Sequence, residues 1–208
     1  MANNLPTSYY FTLVVYPDEM QPDTINKLYN LGTIYFSPVH NKKKKFDGYI
    51  GEFSPSHTPK PHIHLLIKSC NKITENAFIK RFCDLFQTSE CVNLQGIALH
   101  KGDCLVKNPE MMLRYFYHLD NPIKERFNLD DAFEEVPMNF TEEVVKAFHT
   151  EIMVKITYLI QSGEIENIQQ ICFESNSAVY MKWLYTGRNM YVVNSMFNEL
   201  RRNERLKK

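Results

Sequence analysis

The run Pro61–Ile67, Pro-His-Ile-His-Leu-Leu-Ile, constrains the fold of this chain more than any other stretch. Strand residues two apart share a face, so His62 and His64 project together while Ile63 enters the opposite side. Imidazoles on one face and aliphatics on the other describe an inner strand of a sheet. Two adjacent imidazoles can grip a divalent metal, although a bare His-x-His pair is more often half-buried and satisfied by hydrogen bonds. His40 ends the preceding strand-like run, Thr33–His40. If the two strands pair antiparallel, His40 meets His62 and His64, and three such histidines with open positions suit a catalytic metal better than a structural one. Imidazole alone does not choose between zinc, manganese and other ions.

The segments around this run read as an α+β domain. Tyr9–Tyr16 is a strand by its aromatic and β-branched content, closed by a turn at Pro17. Asp23 is expected to cap a short helix through Leu31, with Gly32 as its stop. Thr74–Phe86 is a helix by its apolar spacing, Val92–Leu99 a strand, and Pro109–Leu119 a further helix. The order β-α-β-β-α-β-α predicts an antiparallel sheet with helices on one face. The long connection between His40 and His62 carries Lys42, Lys43, Lys44 and Lys45, which read either as a solvated turn or as a phosphate-contacting loop. The acidic, proline-ended stretch 129–137 reads as a linker. Beyond it, helices are expected from Asn139 or Thr141 to Ile160, around Ile165–Phe173, over Ala178–Tyr185 and over Met190–Leu200. Residues 138–208 are few for an independent core, so packing against another copy is expected.

Composition excludes several classes. Hydrophobic residues at 44% and aromatics at 13% are too many for a disordered chain. Neither an apolar run of membrane-spanning length nor a secretory signal is visible, so a cytoplasmic protein is expected. Five cysteines without a C-x-x-C pair read as reduced thiols. Lysine and arginine total 24 against 24 acidic residues, which argues against coating nucleic acid by bulk charge. Residues 1–121 hold 13 basic and 11 acidic side chains, and residues 122–208 hold 11 and 13. Site-specific contact through a few placed cations and a metal stays open.

The second chemistry-bearing cluster is Met112–Pro122. On a helix, Tyr115 and His118 share one face and Tyr117 points elsewhere. A helical tyrosine is usually packing. Beside a metal-held phosphate or another cation it becomes a candidate nucleophile.

Tyr9–Glu19, Ser37–His40, Lys60–Leu66 and Arg114–Pro122 together resemble the RepB-type replication initiators of small rolling-circle plasmids, members of the HUH endonuclease superfamily. The resemblance extends along the whole chain. It implies an HUH/RRM-like origin-binding and nicking domain over 1–128, the linker at 129–137, and a small all-α oligomerisation domain over 138–208. It also implies that His40, His62 and His64 hold Mn2+ or Mg2+ and that Tyr115 is the nucleophile. His118, Tyr117 and Asp47 would be accessory. Lys42–Lys45, Lys60 and Arg114 would contact DNA. The family often places an aspartate shortly after the first histidine; Asn41-Lys42-Lys43 stands there instead, leaving Asp47 as the substitute fourth ligand.

What this resemblance implies in function is nicking at a double-stranded plasmid origin, exposed as single strand by a hairpin, through a 5′-phosphotyrosine that later permits strand closure. No G-x-x-x-x-G-K-[ST] run occurs, so a host helicase is the expected partner. The setting would be the bacterial cytoplasm, and the assembly a homo-oligomer, a hexamer among the options. A relaxase or transposase would use the same chemistry. A non-catalytic RRM-like nucleic-acid module with a helical assembly domain is the alternative from another class, although no aromatic RNA-stacking signature supports it.

Overall fold

A computed structural model of the chain describes residues 5–41, 60–89, 94, 96–100, 102–121, 124, 126–127, 141–174 and 177–206. The chain divides into two compact units, Met1–Pro137 and Met138–Lys208.

The first unit is α+β. Its elements run β1 (Thr7–Val15), α1 (Thr24–Leu28), β2 (Thr33–Phe36), β3 (Ile63–Thr74), α2 (Glu75–Phe86), β4 (Ile97–Ala98), β5 (Leu105–Val106) and α3 (Pro109–Phe116). The five strands form one sheet in the order β2-β3-β1-β4, with β5 also paired to β1. All pairs are antiparallel.

Alternation along the central strands separates two faces. Phe11 and Leu13 of β1 stand opposite Ile67 and Leu65 of β3, and with Val15 and Ile34 they form one side of a buried core. Helix α2 closes that side. Thr74 caps it by accepting the N–H of Ala77 at 3.2 Å. Phe78, Phe82 and Phe86 recur every fourth residue and are buried, and the Phe78 ring stacks on Phe11 with centroids 4.1 Å apart. Burial of side chains this size contributes roughly 2–3 kcal/mol each.

The opposite face carries Tyr35, His64 and Leu66, and α3 covers it. Tyr35 stacks on Phe116 with centroids 5.6 Å apart, and its hydroxyl meets that of Tyr117 at 2.7 Å. Helices therefore lie on both faces, correcting the one-face expectation. The physical reason is that Leu66 and Tyr35 are as fully buried as the residues facing α2, and a sheet apolar on both sides must be covered on both.

Other local expectations shift as well. Asp23 makes no side-chain cap to α1, because its backbone is already helical at φ −86°, ψ −2°. Strand β2 stops at Phe36, before Pro38, and the chain rejoins the sheet at an isolated His40–His62 bridge; a proline cannot donate to the ladder between them. Of the expected strand 92–99, only Ile97–Ala98 forms a strand among the described residues, with Leu94 in an isolated bridge to Ile97. The two-residue β5 is too short to leave a periodic signal. Cys70 and Cys104 are free thiols. Cys83 is in a disulfide whose partner lies outside the described side chains, against the all-reduced expectation; sequence spacing does not reveal which thiols meet in space.

The second unit's described elements are α4 (Thr141–Ala147), α5 (His149–Gln161), a 3-10 turn (Ile168–Phe173), α6 (Ser177–Leu184) and α7 (Asn189–Leu206). The expected single helix to Ile160 is interrupted at Phe148, whose φ of −113° leaves the helical region. Phe148, Ile152, Ile156 and Trp183 form its interior. Asn167 and Gln170 close a capping box on the 3-10 turn. Among the described residues, no helix is long and apolar enough to cross a membrane.

Gly32, at φ 152°, ends the turn that launches β2 toward the histidines, and a Cβ there would run into the Lys68 carbonyl. Gly32→Ala should cost about 2–3 kcal/mol in chemical denaturation. Gly102→Ala, at φ 97° but with open space around it, should cost about 1 kcal/mol. Equal midpoints for the two variants would contradict this assignment.

Candidate metal centre

The site assembles where β3 begins. His40 and His62 pair across the sheet, with N–H to carbonyl distances of 2.7 and 3.4 Å. His64 lies two residues along on the same face, opposite Val14 of β1. The ring centroids stand 5.4 Å (His40–His62), 4.7 Å (His40–His64) and 5.0 Å (His62–His64) apart. One nitrogen from each ring lies within 4.8 Å of the others, so the group could hold a metal ion.

The hydrogen bonds select which nitrogens remain available. His40 Nε2–H donates to the Phe116 carbonyl at 2.8 Å, and His62 Nδ1–H donates to the Lys60 carbonyl at 2.9 Å. That leaves lone pairs on His40 Nδ1 and His62 Nε2. His40 Nδ1 and His64 Nε2 are buried without a hydrogen-bond partner, an expensive condition unless something is bound there. A backbone carbonyl behind a ligand imidazole fixes its tautomer and orientation. Burial is the largest influence on both rings, holding His40 at about 4 and His64 at about 3. The neighbouring His62, His118 and Lys124 push in the same direction. Both rings are consequently neutral and competent as ligands at pH 7. The donor set fits a divalent ion with open positions.

Helix α3 brings the tyrosine. Its N-terminus is capped by Asn108, which accepts the Met111 N–H at 3.1 Å, with Pro109 in the first turn. Tyr115 lies with its ring 5.2 Å from His64 and 6.2 Å from His40, and is 40% exposed. Tyr117 turns the other way, fully buried against Tyr35. An open groove of about 390 Å³ is lined by Leu105, Lys107, Asn108, Met111 and Tyr115 among others.

The helix stops earlier than its expected end at Leu119 because His118 adopts φ 54°. His118 N–H reaches the Tyr115 carbonyl at 3.0 Å and Leu119 N–H the Arg114 carbonyl at 3.1 Å. These two bonds make a Schellman ending, with histidine where glycine is usual. The conformation costs on the order of 1 kcal/mol for a residue with a Cβ. It returns the buried His118 ring to 4.5 Å from His40.

Two of the candidate DNA-contacting cations are engaged within the protein. Arg114 makes a two-pronged contact with Asp120, at 2.8 Å for each nitrogen, and this hydrogen-bonded pairing lowers the Asp120 carboxyl below its ordinary range. Lys60 pairs closely with Glu19 and lies over the Tyr16 ring at 4.7 Å. Lys42, Lys43, Lys44, Lys45 and Asp47 lie outside the described residues.

Sequence reasoning missed Lys124 and Phe127. The Lys124 ammonium lies 5.1 Å from the Tyr115 ring centre, and the Phe127 ring stacks on His40 at 5.2 Å. The available signal was the turn-favouring sequence Asp120-Asn121-Pro122 just after the helix. A scan against protein-family models finds no match, and no curated protein matches the chain.

Two expectations follow. In the unfolded chain His40 and His64 titrate near their ordinary value of 6.5, against about 4 and 3 in the fold. Below pH 6.5 the unfolded state therefore binds more protons, and the stability these neutral rings carry at pH 7 is lost toward pH 4 and below. The denaturation midpoint of metal-free protein should fall over that window, and His64→Asn should flatten the decline; an unchanged slope would contradict it. At pH 7, Mn2+ should raise the wild-type unfolding midpoint, and this rise should vanish in His40→Ala.

Proposed function

We propose that this chain initiates rolling-circle replication of a plasmid as an HUH-type endonuclease and strand transferase. The observation that carries the reading is the approach of one exposed tyrosine, Tyr115, to the three-histidine group while its neighbour Tyr117 is sequestered. A nucleophile needs access to substrate and a charge-stabilising partner, and Tyr115 has both.

His40, His62 and His64 would hold the ion, with His40 oriented by the Phe116 carbonyl and His62 by the Lys60 carbonyl. When bound, Mn2+ or Mg2+ supplies Lewis-acid polarisation of the scissile phosphate. The Tyr115 hydroxyl oxygen bonds to phosphorus as the bond to O3′ breaks. The tyrosine proton is balanced by protonation of the departing 3′ oxygen. The products are a 5′-phosphotyrosine on Tyr115 and a free 3′-OH that primes synthesis. Reversal by a 3′-OH closes a strand without ATP, because the phosphodiester energy is kept.

In this reading the first unit is the HUH/RRM-like origin-binding and nicking domain, and the second is the all-α domain that assembles copies into a homo-oligomer such as a hexamer. The partners are double-stranded origin DNA, its nick-site hairpin and a host helicase in the bacterial cytoplasm. A non-catalytic RRM-like module is less well supported, since an RRM stacks bases on its open sheet surface whereas α3 covers Tyr35 and Leu66 on this one. A relaxase or transposase would share the chemistry and differ in target DNA.

Supercoiled plasmid carrying this gene and its flanking DNA should be converted to nicked circles with a protein-linked 5′ end when Mn2+ is added. Tyr115→Phe should abolish the adduct, a loss of at least about 10³-fold. Tyr117→Phe should retain it while losing stability by about 1 kcal/mol. Unchanged plasmid under Mn2+, Mg2+ and Zn2+ would overturn the reading, as would an adduct formed by Tyr115→Phe.

A further inference from the structure

We propose that Lys124 is a catalytic residue of this site, the cation that holds the scissile phosphodiester against Tyr115. The role rests on the nickase reading and adds to it a residue that the histidine and tyrosine motifs do not contain.

The position is built. After α3 the chain turns at His118, and the Asn121 side chain accepts the Lys124 backbone N–H at 3.2 Å. Phe127 N–H then bonds the Tyr117 carbonyl at 3.2 Å, while its ring stacks on His40. The segment is thereby tied back to both α3 and the histidine group. Between those ties the Lys124 ammonium lies over the face of the Tyr115 ring.

Among the described residues, its charge has no carboxylate partner. Arg114 is paired with Asp120 and Lys60 with Glu19. Among the described residues, no carboxylate pairs with Lys124 and none belongs to the histidine group. The three described histidines bring no negative charge to offset a divalent ion, and the ammonium adds positive charge beside Tyr115. Like charges repel, and an anion entering between them relieves the repulsion. A phosphodiester beside the Tyr115 hydroxyl is such an anion. Its negative charge spreads onto the non-bridging oxygens in the transition state, where a fixed cation is most effective. Lys124 remains an ammonium throughout, so the atom and proton balance of the transfer is unchanged.

Single-turnover adduct formation on the plasmid, with Mn2+, tests the role. Lys124→Met keeps the side chain's length and removes its charge, and should slow the reaction about 100-fold. Lys124→Arg should restore most of the rate. Both variants should keep the wild-type unfolding midpoint and its rise with Mn2+. A Lys124→Met rate equal to wild type overturns the proposal, as does loss of the Mn2+ response in both variants, which marks a scaffolding role. Absence of adduct with the wild-type protein instead refutes the nickase reading itself, and this role with it.

Discussion

The two-residue alternation of β3 is the constraint on which the rest of the first unit depends. Ile63, Leu65 and Ile67 enter the core under α2, and His64 and Leu66 are thereby sent to the face under α3. A slip of one residue would exchange the sets, placing an imidazole among phenylalanines and a leucine in the metal group. Each large aliphatic buried on the α2 side is worth about 1.5–3 kcal/mol. That sum outweighs the cost of desolvating neutral imidazoles opposite. The apolar core thus aims the histidines, and the site inherits its geometry from packing it does not touch.

The histidine group is oriented by backbone more than by other side chains. A carbonyl at the end of α3 orients His40, and the carbonyl of Lys60 orients His62. The first of these is a helix-end acceptor that would otherwise lack a partner, so ending the helix and orienting His40 are one event. His118 belongs to the same event: its left-handed backbone terminates α3 and lays its ring against His40. A strained residue at such a junction persists because the surrounding bonds over-determine it. Tyr115 and Tyr117, two positions apart across the end of this short helix, consequently meet opposite environments, one at the histidines and the other in the sheet.

Charge takes a different form from the one composition suggests. The chain's formal balance is zero, yet the described part of the site contains three histidines, a lysine without a carboxylate partner there, and no acid. Net charge averages over a surface, whereas an anion responds to the few groups within a Debye length. A balanced chain can therefore present a local cation: among the described residues Arg114 and Lys60 are paired with carboxylates, while Lys124 stands over Tyr115.

Much of this was legible residue by residue. The pairing of His62 with His64 follows from strand periodicity, and the parting of Tyr115 from Tyr117 follows from helical periodicity. Thr74, Gly32 and Pro109 mark ends that local backbone chemistry dictates. Asp23 reads as a cap and is none, because a cap depends on the backbone angles it meets rather than on residue type alone. Helix α3's crossing to the second sheet face, the two-residue β5, the Cys83 disulfide and the return of Lys124 over Tyr115 were not legible. Each is a contact between residues far apart in sequence or beyond a turn, and periodicity carries no information across such gaps. By itself, the sequence determined which side chains share a face within each element. Only the tertiary structure decided which faces meet, because that choice is made by burying apolar surface from several elements at once.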